Sequence, residues 1–289
     1  MIRTRDRSML SAMKGRTRLT RSLLWFGVAI VVAASVAEAQ IWRGGYGLTA
    51  PPRHPTAQTF AGGFNFCRLM FRSNRREKRG WSTDYPGADI NFSVRLSELT
   101  KTRVTKQPQG DPEYITVEPT DPALFQCPYV LIEDGGTADF SDEDVLRLRE
   151  YLQKGGFFFV SDYWGTLAGE QWDEEIGRVL PPETYPIIEL GVEHPIWHSI
   201  FEVKKVPQMA SIQYWRRSGG GFNERGTDSP FVEVRGIADA HGRLMVVMIH
   251  NSDIPDGWER EGEDAEYFYK FSPDAYAVGI DVALYALTH

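Results

Sequence analysis

The sequence predicts a three-layer α/β domain with a mostly parallel central sheet, followed by a C-terminal hairpin and helix. Two observations carry this prediction. Between residues 129 and 160 an apolar strand, an amphipathic helix and a second apolar strand follow one another, which is the pattern of a right-handed parallel crossover. Further along, two strand-like segments flank Ala240-His241-Gly242, and an amphipathic segment closes the chain.

In the first half, FNFCRLMF (64–71) alternates well enough for a strand, and Asp89 is positioned to cap a helix over residues 90–99. Short strands are expected at 103–105 and 114–118. Tyr129–Glu133 is apolar enough for a strand that is buried on both faces.

The next helix is the clearest element in the chain. Ser141 and Asp144 form a capping box, three apolar residues make a buried stripe, and Gly155-Gly156 ends the helix. A buried strand over 157–160 then ends at Ser161-Asp162.

In the second half, a helix is expected over 172–179 and irregular structure over 185–221. Segments 232–238 and 243–249 make the hairpin. In the final helix Ser272 is expected to be the cap and Pro273 the first helical residue.

The composition is that of an ordinary globular chain. The 289 residues are 42% apolar, 12% aromatic and 25% charged, which is too hydrophobic for disorder. Beyond residue 39 there are 25 Lys and Arg against 37 Asp and Glu, a net charge of −12. Such a surface repels phosphate backbones, so we expect no nucleic-acid partner. Two cysteines are too few for a disulfide scaffold or a four-cysteine zinc site.

Residues 1–39 have the order of a secretory signal peptide. Seven basic residues precede an apolar run from Leu23 to Val36, and Ala37-Glu38-Ala39 places small residues where signal peptidase cuts. The run of 14 residues is shorter than the roughly 20 of a membrane span. We expect cleavage between Ala39 and Gln40 and a periplasmic protein, with an uncleaved N-terminal anchor as the alternative.

Two further segments follow the signal. Residues 40–59 combine three glycines with three prolines, which indicates a flexible tether. A single domain is expected over residues 60–289, where we find no internal repeat.

Ligands of open parallel sheets bind beyond the carboxyl ends of the strands. That rule selects Asp134, Asp162 and His250. Other polar and aromatic residues stand near them or can join them in one cleft, namely Asp84, Tyr85, Tyr163, Trp164, Asn251, Asp253 and Trp258. Aromatic rings stack on sugars, and a carboxylate pair holds a metal or performs acid–base work. The alternative is a turn network in which Asp253 and Asp256 accept backbone N–H groups and Trp258 covers the core.

Five sequence blocks resemble one bacterial family, the domain of unknown function 4159. They are GWSTDYPGADINF (80–92), LREYLQKGGFFFVSDYWG (148–165), EHPIWHSIF (193–201), GRLMVVMIHNSDIPDGWE (242–259) and AYAVGIDVALYALTH (275–289). The resemblance runs roughly from Phe60 to the C terminus. It implies a flavodoxin-like, class I glutamine-amidotransferase-like domain, seen elsewhere fused to membrane-anchored envelope proteins, and it implies no known reaction. The family often has two consecutive aspartates where this chain has Ser161-Asp162.

Working amidotransferases of this fold place a cysteine after a central strand and a histidine after a later one. Ser161 or Asp162 takes the first position here and His250 the second, so the cysteine nucleophile is absent. A hydrolase in which His250 activates Ser161, oriented by Asp253 or Glu259, lacks the G-x-S-x-G spacing. The alternative is that Ser161 hydrogen-bonds locally and Asp162 caps the following turn.

Other motifs assign no cofactor and no metal. His194 and His198 have zinc spacing, but Pro195 intervenes, so a Pro-initiated turn with Ile196 and Trp197 buried is expected. The glycine-rich stretches 133–136 and 219–221 match no nucleotide-binding fingerprint.

Cys67 lies in the first strand and Cys127 just before the strand at 129–133, and these two strands are neighbours in flavodoxin-type order. The sequence leaves two alternatives: a disulfide between the two cysteines, or two separate thiols that are buried in the core.

Three functions follow as hypotheses. The first is an exported envelope protein that binds a ligand or a partner protein. The second is a hydrolase of a cell-wall glycan or peptide, with Asp162 and His250 as the acid–base pair. The third is a structural module that docks on a membrane complex. The sequence does not identify an enzyme.

Overall fold

The computed structural model describes residues 50–56, 58–60, 62–74 and 80–289. Within them, seven strands form one sheet in the order β2-β1-β3-β4-β7-β6-β5. The strands are β1 Phe66–Leu69, β2 Tyr114–Val117, β3 Val130–Glu133, β4 Phe158–Tyr163, β5 Ile187–Glu189, β6 Glu233–Ala238 and β7 Leu244–His250. From β2 to β7 every pairing is parallel, and β6 and β5 complete the sheet antiparallel. The mixed α/β class and the mostly parallel sheet are confirmed.

Helices cover both faces of the sheet. In the described residues these are α1 Gly87–Leu99, α2 Asp142–Gln153, α3 Thr166–Val179, α4 Ile212–Ser218, α5 Asp256–Glu259 and α6 Ala265–Thr288. Two hydrophobic clusters result. In one of them α1 and α6 pack with Leu131 of β3, and in the other α2 and α3 pack with Val130 and Ile132 of the same strand. Because both faces of β3 are covered, its sequence is a continuous apolar run rather than an alternating one.

The helix with the capping box forms as expected. The Ser141 hydroxyl accepts from the Asp144 N–H at 3.1 Å, and the Asp144 carboxylate accepts from the Ser141 N–H at 2.9 Å. The C-terminal hairpin of β6 and β7 is also confirmed.

Three helix starts differ from the prediction, and in the last of them a different residue is the cap. α1 begins at Gly87, and Asp89 is no cap but a buried residue of its first turn. α3 begins at Thr166, six residues before the predicted start. α6 begins at Ala265 because the Asp264 carboxylate accepts from the N–H groups of residues 266 and 267, so Pro273 lies inside the helix and Ser272 is not its cap.

The stretch 185–221 is not irregular. It contains β5, whose three residues are too few to show alternation, and the short helix α4, which ends at the left-handed Gly219. The Pro-initiated turn over Pro195–His198 is present, with Ile196 and Trp197 fully buried.

β4 extends further than predicted, to Tyr163. Its pairing with β7 shifts register between Val160 and Tyr163, so the strand bulges at Ser161-Asp162 instead of ending there.

The first 49 residues, including the predicted signal peptide, lie outside the described residues. Of the expected tether, Arg53 contacts the domain: its carbonyl accepts from the N–H of Thr116 in β2, and its side chain pairs with Glu113 at 2.7 Å. Cys67 and Cys127 form a disulfide. None of the described helices is both long and apolar enough to cross a membrane.

Candidate functional site

Four non-glycine residues of the described chain have left-handed backbones. Asp84 precedes α1, Asp134 follows β3, Asp162 lies in the bulge of β4, and Asn251 follows β7, with φ between 48° and 62°. Asp and Asn tolerate this conformation better than other side chains, but it still costs free energy. Strained backbone of this kind concentrates at functional sites. Asp134, Asp162 and Asn251 lie at the carboxyl ends of the adjacent strands β3, β4 and β7. This is the edge of the sheet where the sequence predicted the cleft.

Beside these residues, acidic side chains converge in the interior. We call Asp84, Glu133, Asp253, Asp256 and Glu259 the carboxylate centre. One oxygen each from Asp84, Glu133 and Asp253 lie within 4.8 Å of one another, and the same holds for Asp84, Asp256 and Glu259. The first four of the five are at most 6% exposed. Carboxylates are rarely buried this deeply without a cationic partner.

Arg68 of β1 organises one side of the carboxylate centre. Its fully buried guanidinium donates to Asp89 of α1 and, at 2.8 Å, to Glu133 at the end of β3. It also donates to the backbone carbonyls of residues 81 and 83, at 3.1 and 2.7 Å. Arg68 therefore fixes the loop that carries Asp84. Burial opposes the charge on Arg68, but Asp89 and Glu133 outweigh it and raise the pKa of the guanidinium.

The α5 side of the centre is held by local hydrogen bonds. The Asp253 carboxylate accepts from the Asp256 N–H at 3.1 Å. The Asp256 carboxylate accepts from the Ile212 N–H at 2.7 Å and from the Tyr267 hydroxyl at 2.8 Å. This is the turn network that the sequence offered as the alternative, and it is built from the same residues as the acidic cluster.

Burial raises the pKa of four carboxyl groups of the centre, those of Glu133, Asp253, Asp256 and Glu259. It raises the pKa of Asp256 to about 8 and that of Glu259 to about 10, with the charge of Asp84 as the next cause for both. The pKa values of Glu133 and Asp253 are also raised well above their ordinary range, by burial and then by neighbouring carboxylates. The centre therefore favours bound protons or another bound cation.

Oε2 of Glu259 forms no hydrogen bond but lies 2.6 Å from Arg260 Nε, and two further oxygens of the centre have neither a hydrogen bond nor an ion pair. They are Oε1 of Glu133, which is fully buried, and Oδ2 of Asp84, which is 6% exposed. A buried polar atom without a partner costs about 1–3 kcal/mol, and more when it is charged.

The proposed nucleophile and base are not in contact. The buried Ser161 hydroxyl donates to the Ser252 carbonyl at 3.1 Å and accepts from the Ile254 N–H at 3.2 Å. The His250 ring stacks on Tyr163, with Nε2 at 3.0 Å from the Gly165 carbonyl and Nδ1 at 3.2 Å from a carboxylate oxygen of Glu233. The Ser161 partners lie 91 and 93 residues away, so these bonds are not the local ones of the alternative interpretation, and both imidazole nitrogens are engaged elsewhere.

The aromatic candidates offer little surface to a ligand. Tyr85, Tyr163, Trp164 and Trp258 are at most 7% exposed, and Trp258 packs against Phe92 of α1. A buried ring cannot stack on a sugar unless the site opens.

Among the polar candidates only Asp162 is partly exposed. It accepts from Trp164 Nε1 at 3.1 Å, whereas Asp134, Asn251 and Asp253 are buried. The structure thus brings Asp84 and Asp253 into the centre and gives Asp162 an electrostatic effect on it, because its charge raises the pKa of Glu133 and Asp253.

Sequence reasoning missed Arg68 and Glu133 as site residues. Glu133 was interpreted only as part of a strand and a glycine-rich stretch. A signal was available for Arg68, since a charged residue in the middle of the apolar segment FNFCRLMF requires a buried partner.

A family model described as "Domain of unknown function (DUF4159)" matches residues 68–287. The chain belongs to the DUF4159 family. The match begins at Arg68 and includes all five residues of the carboxylate centre. No curated protein matches the chain. The DUF4159 assignment therefore defines the family without supplying a reaction.

Proposed function

We propose that this DUF4159 protein is an exported envelope protein that works by binding a ligand at the carboxyl-end edge of the sheet, in and around the carboxylate centre, and that it does not transfer amide nitrogen. The observation that carries the proposal is the centre itself. Acidic oxygens from the Asp84 loop, the end of β3 and the segment after β7 are held in one place, and two of them have neither a hydrogen bond nor an ion pair. Ligands of parallel sheets bind at this edge.

The strand order supports a flavodoxin-like, glutamine-amidotransferase-like fold. The parallel strands β2, β1, β3 and β4 follow the flavodoxin order, with β7 in the fifth place. Amidotransferase chemistry has no support, because the two cysteines of the chain are bonded to each other and no thiol is left as nucleophile.

Export is supported by two observations of different kinds. The first 39 residues have the pattern of a signal peptide, and a disulfide persists only in an oxidising compartment such as the periplasm. Mass spectrometry of the protein from separate periplasmic and membrane fractions tests this directly. We expect an N terminus at Gln40, and an intact N terminus would favour the uncleaved anchor.

Ligand binding is tested by thermal unfolding in a chelator, with cell-wall fragments, sugars and nucleotides added in turn. A ligand that binds only the folded state raises the unfolding midpoint. Asp162→Asn removes the partly exposed carboxylate of the edge, and Asp274→Asn, in an exposed part of α6, is the matched control. We expect a shift that Asp162→Asn reduces and Asp274→Asn leaves unchanged. An equal shift in all three proteins would place the binding elsewhere.

One observation favours docking on an envelope partner as a second function. Two large apolar side chains stay exposed near this edge: Leu167 in the first turn of α3 is 72% exposed and Phe231 is 61% exposed. The Phe231 carbonyl accepts from Asn251 at 3.1 Å, which ties it to the end of β7. A photo-reactive residue at 231 should cross-link a partner protein in cells more strongly than one at the exposed Tyr269. Equal yields at both positions would count against docking here.

The hydrolase alternative has less support. Its proposed base, His250, is 6% exposed and both ring nitrogens contact acceptor oxygens of the protein. Such a histidine takes a substrate proton only after one of these contacts breaks.

A further inference from the structure

The unpartnered oxygens of the carboxylate centre identify which of its two groups is open to a ligand. In the group of Asp84, Asp256 and Glu259, other residues already provide an ion-pair or hydrogen-bond partner for the last two. Arg260 Nε lies 2.6 Å from Glu259, and Asp256 accepts from Tyr267 and the backbone. In the group of Asp84, Glu133 and Asp253, Oδ2 of the first and Oε1 of the second have none.

The neighbouring arginines do not serve these two oxygens. Arg68 donates to Glu133 through the other carboxylate oxygen, Oε2, and its remaining contacts go to Asp89 and to backbone carbonyls. Arg260 pairs with Glu259, Glu263 and, at 3.6 Å, Asp256. The three carboxylates therefore share a negative site without a cation of the protein directed at the open oxygens.

The size and chemistry of this site select the ligand. Side chains that are 0–6% exposed present almost no surface to a sugar or a peptide within the centre itself, whereas an ion needs only their oxygen atoms. An all-oxygen set suits hard cations, and Ca²⁺ binds oxygen at about 2.3–2.6 Å. Oxygens within 4.8 Å of one another can therefore contact one such ion together.

We propose that Asp84, Glu133 and Asp253 bind one divalent cation of the hard, oxygen-preferring class, Ca²⁺ or Mg²⁺. The inference rests on the proposed function, because it names the ligand of the same centre. The ion supplies the partner that the open oxygens lack, and it ties the Asp84 loop, the end of β3 and the segment after β7 to each other.

The test is calorimetric titration of the full chain, purified in its disulfide-bonded form and stripped with chelator, with CaCl₂ and with MgCl₂. We expect one site per chain for at least one of the two ions, and an unfolding midpoint that rises with its concentration. Asp84→Asn and Asp253→Asn should each weaken binding at least tenfold. Asp274→Asn, which removes an exposed carboxylate from α6, should bind as the wild type does.

The unfolding of the variants shows whether misfolding causes a loss of ion binding. Each replaces one carboxyl group of a crowded acidic group by a neutral amide of the same size, so in chelator we expect both to unfold cooperatively and at no lower a midpoint than the wild type. Folded variants that lose binding support the site, and variants that bind like the wild type overturn it.

Failure of this inference is distinguishable from failure of the proposed function. No heat and no midpoint shift with either ion overturn the cation site. If an organic ligand still stabilises the chelated protein in a manner sensitive to Asp162→Asn, the proposed function stands without a cation. If neither ions nor organic ligands bind, both proposals fail.

Discussion

Arg68 is the residue on which the local geometry depends most. Its guanidinium bonds to α1, to the end of β3 and to the backbone on the N-terminal side of Asp84, all without exposure to solvent. Replacing it leaves Asp89 and Glu133 buried without their cation. We expect Arg68→Met to lower the free energy of unfolding by about 3–5 kcal/mol, the usual result of removing one partner of a buried pair.

Urea denaturation measures this loss. The matched control is Arg72→Met, which breaks the exposed pair of Arg72 with Asp139 and should change stability little. Similar effects of the two variants would mean that the buried pair contributes no more than a surface one.

The buried acids give stability an unusual dependence on pH. Because the folded-state pKa of Asp256 is about 8 and that of Glu259 about 10, the folded protein keeps protons that the unfolded chain releases near pH 4. The folded state then binds more protons than the unfolded state, so stability falls as pH rises from about 4 to 8. Each retained proton contributes a slope of about 1.4 kcal/mol per pH unit.

Thermal unfolding in chelator between pH 5 and 8 checks this direction, and a midpoint that rises with pH would contradict it. Asp256→Asn should flatten the dependence, because its amide does not titrate. The exposed Asp274→Asn should leave the slope unchanged.

At this scale the sequence predicted the location better than the chemistry. The carboxyl-end rule selected Asp134, Asp162 and His250, and the structure places all of them at that edge. The burial of Asp84 and Asp253 and the roles of Arg68 and Glu133 depend on contacts between residues far apart in the chain, 65 positions for Arg68 with Glu133 and more for Asp84 with Asp253, which local patterns do not contain.

Among the elements, α6 shows how a cap is misread. Ser272-Pro273 has the sequence of a helix start, but the Asp264 carboxylate accepts from the N–H groups of Glu266 and Tyr267 at 3.0 Å and starts the helix eight residues earlier. We expect Asp264→Ala to cost about 1 kcal/mol, the usual value of an N-cap.

Chemical denaturation distinguishes the two caps. Asp264→Asn keeps an acceptor and should restore most of the loss. Ser272→Ala should cost nothing comparable, because the Ser272 hydroxyl is buried without a partner. A larger loss from Ser272→Ala than from Asp264→Ala would restore the prediction made from the sequence.

The elements that were predicted correctly carry their signals within a few residues. The capping box of Ser141 and Asp144 and the hairpin turn at 240–242 are examples. The starts of α1 and α3 and the short strand β5 depend on tertiary partners, and their boundaries could not be read from propensity alone.

For the molecule as a whole, the Cys67–Cys127 disulfide ties β1 to the segment that precedes β3. The cysteines are 60 residues apart, and restricting a loop of this size in the unfolded chain stabilises the fold by about 4 kcal/mol in the chain-entropy treatment. We expect reduction, or a double Cys67→Ala and Cys127→Ala substitution, to lower stability in the range of about 2–5 kcal/mol.

Equilibrium denaturation with and without reductant measures this effect, and the double variant should not respond to reductant. A wild-type midpoint that does not change on reduction would show that the disulfide contributes nothing to stability.

The strand, helix, strand signal was enough to predict the parallel sheet, but the insertion of β7 beside β4 is a long-range pairing that the sequence alone did not reveal.

The contact of Arg53 with β2 has a consequence for self-association. β2 is an outer strand of the sheet, and outer strands present backbone groups on which another chain can form a further strand. The Arg53 carbonyl accepts a hydrogen bond from the N–H of Thr116 in β2. At the opposite edge of the sheet the outer strand, β5, has only three residues. In the described residues, therefore, neither edge strand of the sheet offers a long uncovered row of backbone groups on which another chain could form a strand. A chain shortened to begin after residue 56 should aggregate more readily at high concentration, which light scattering would record.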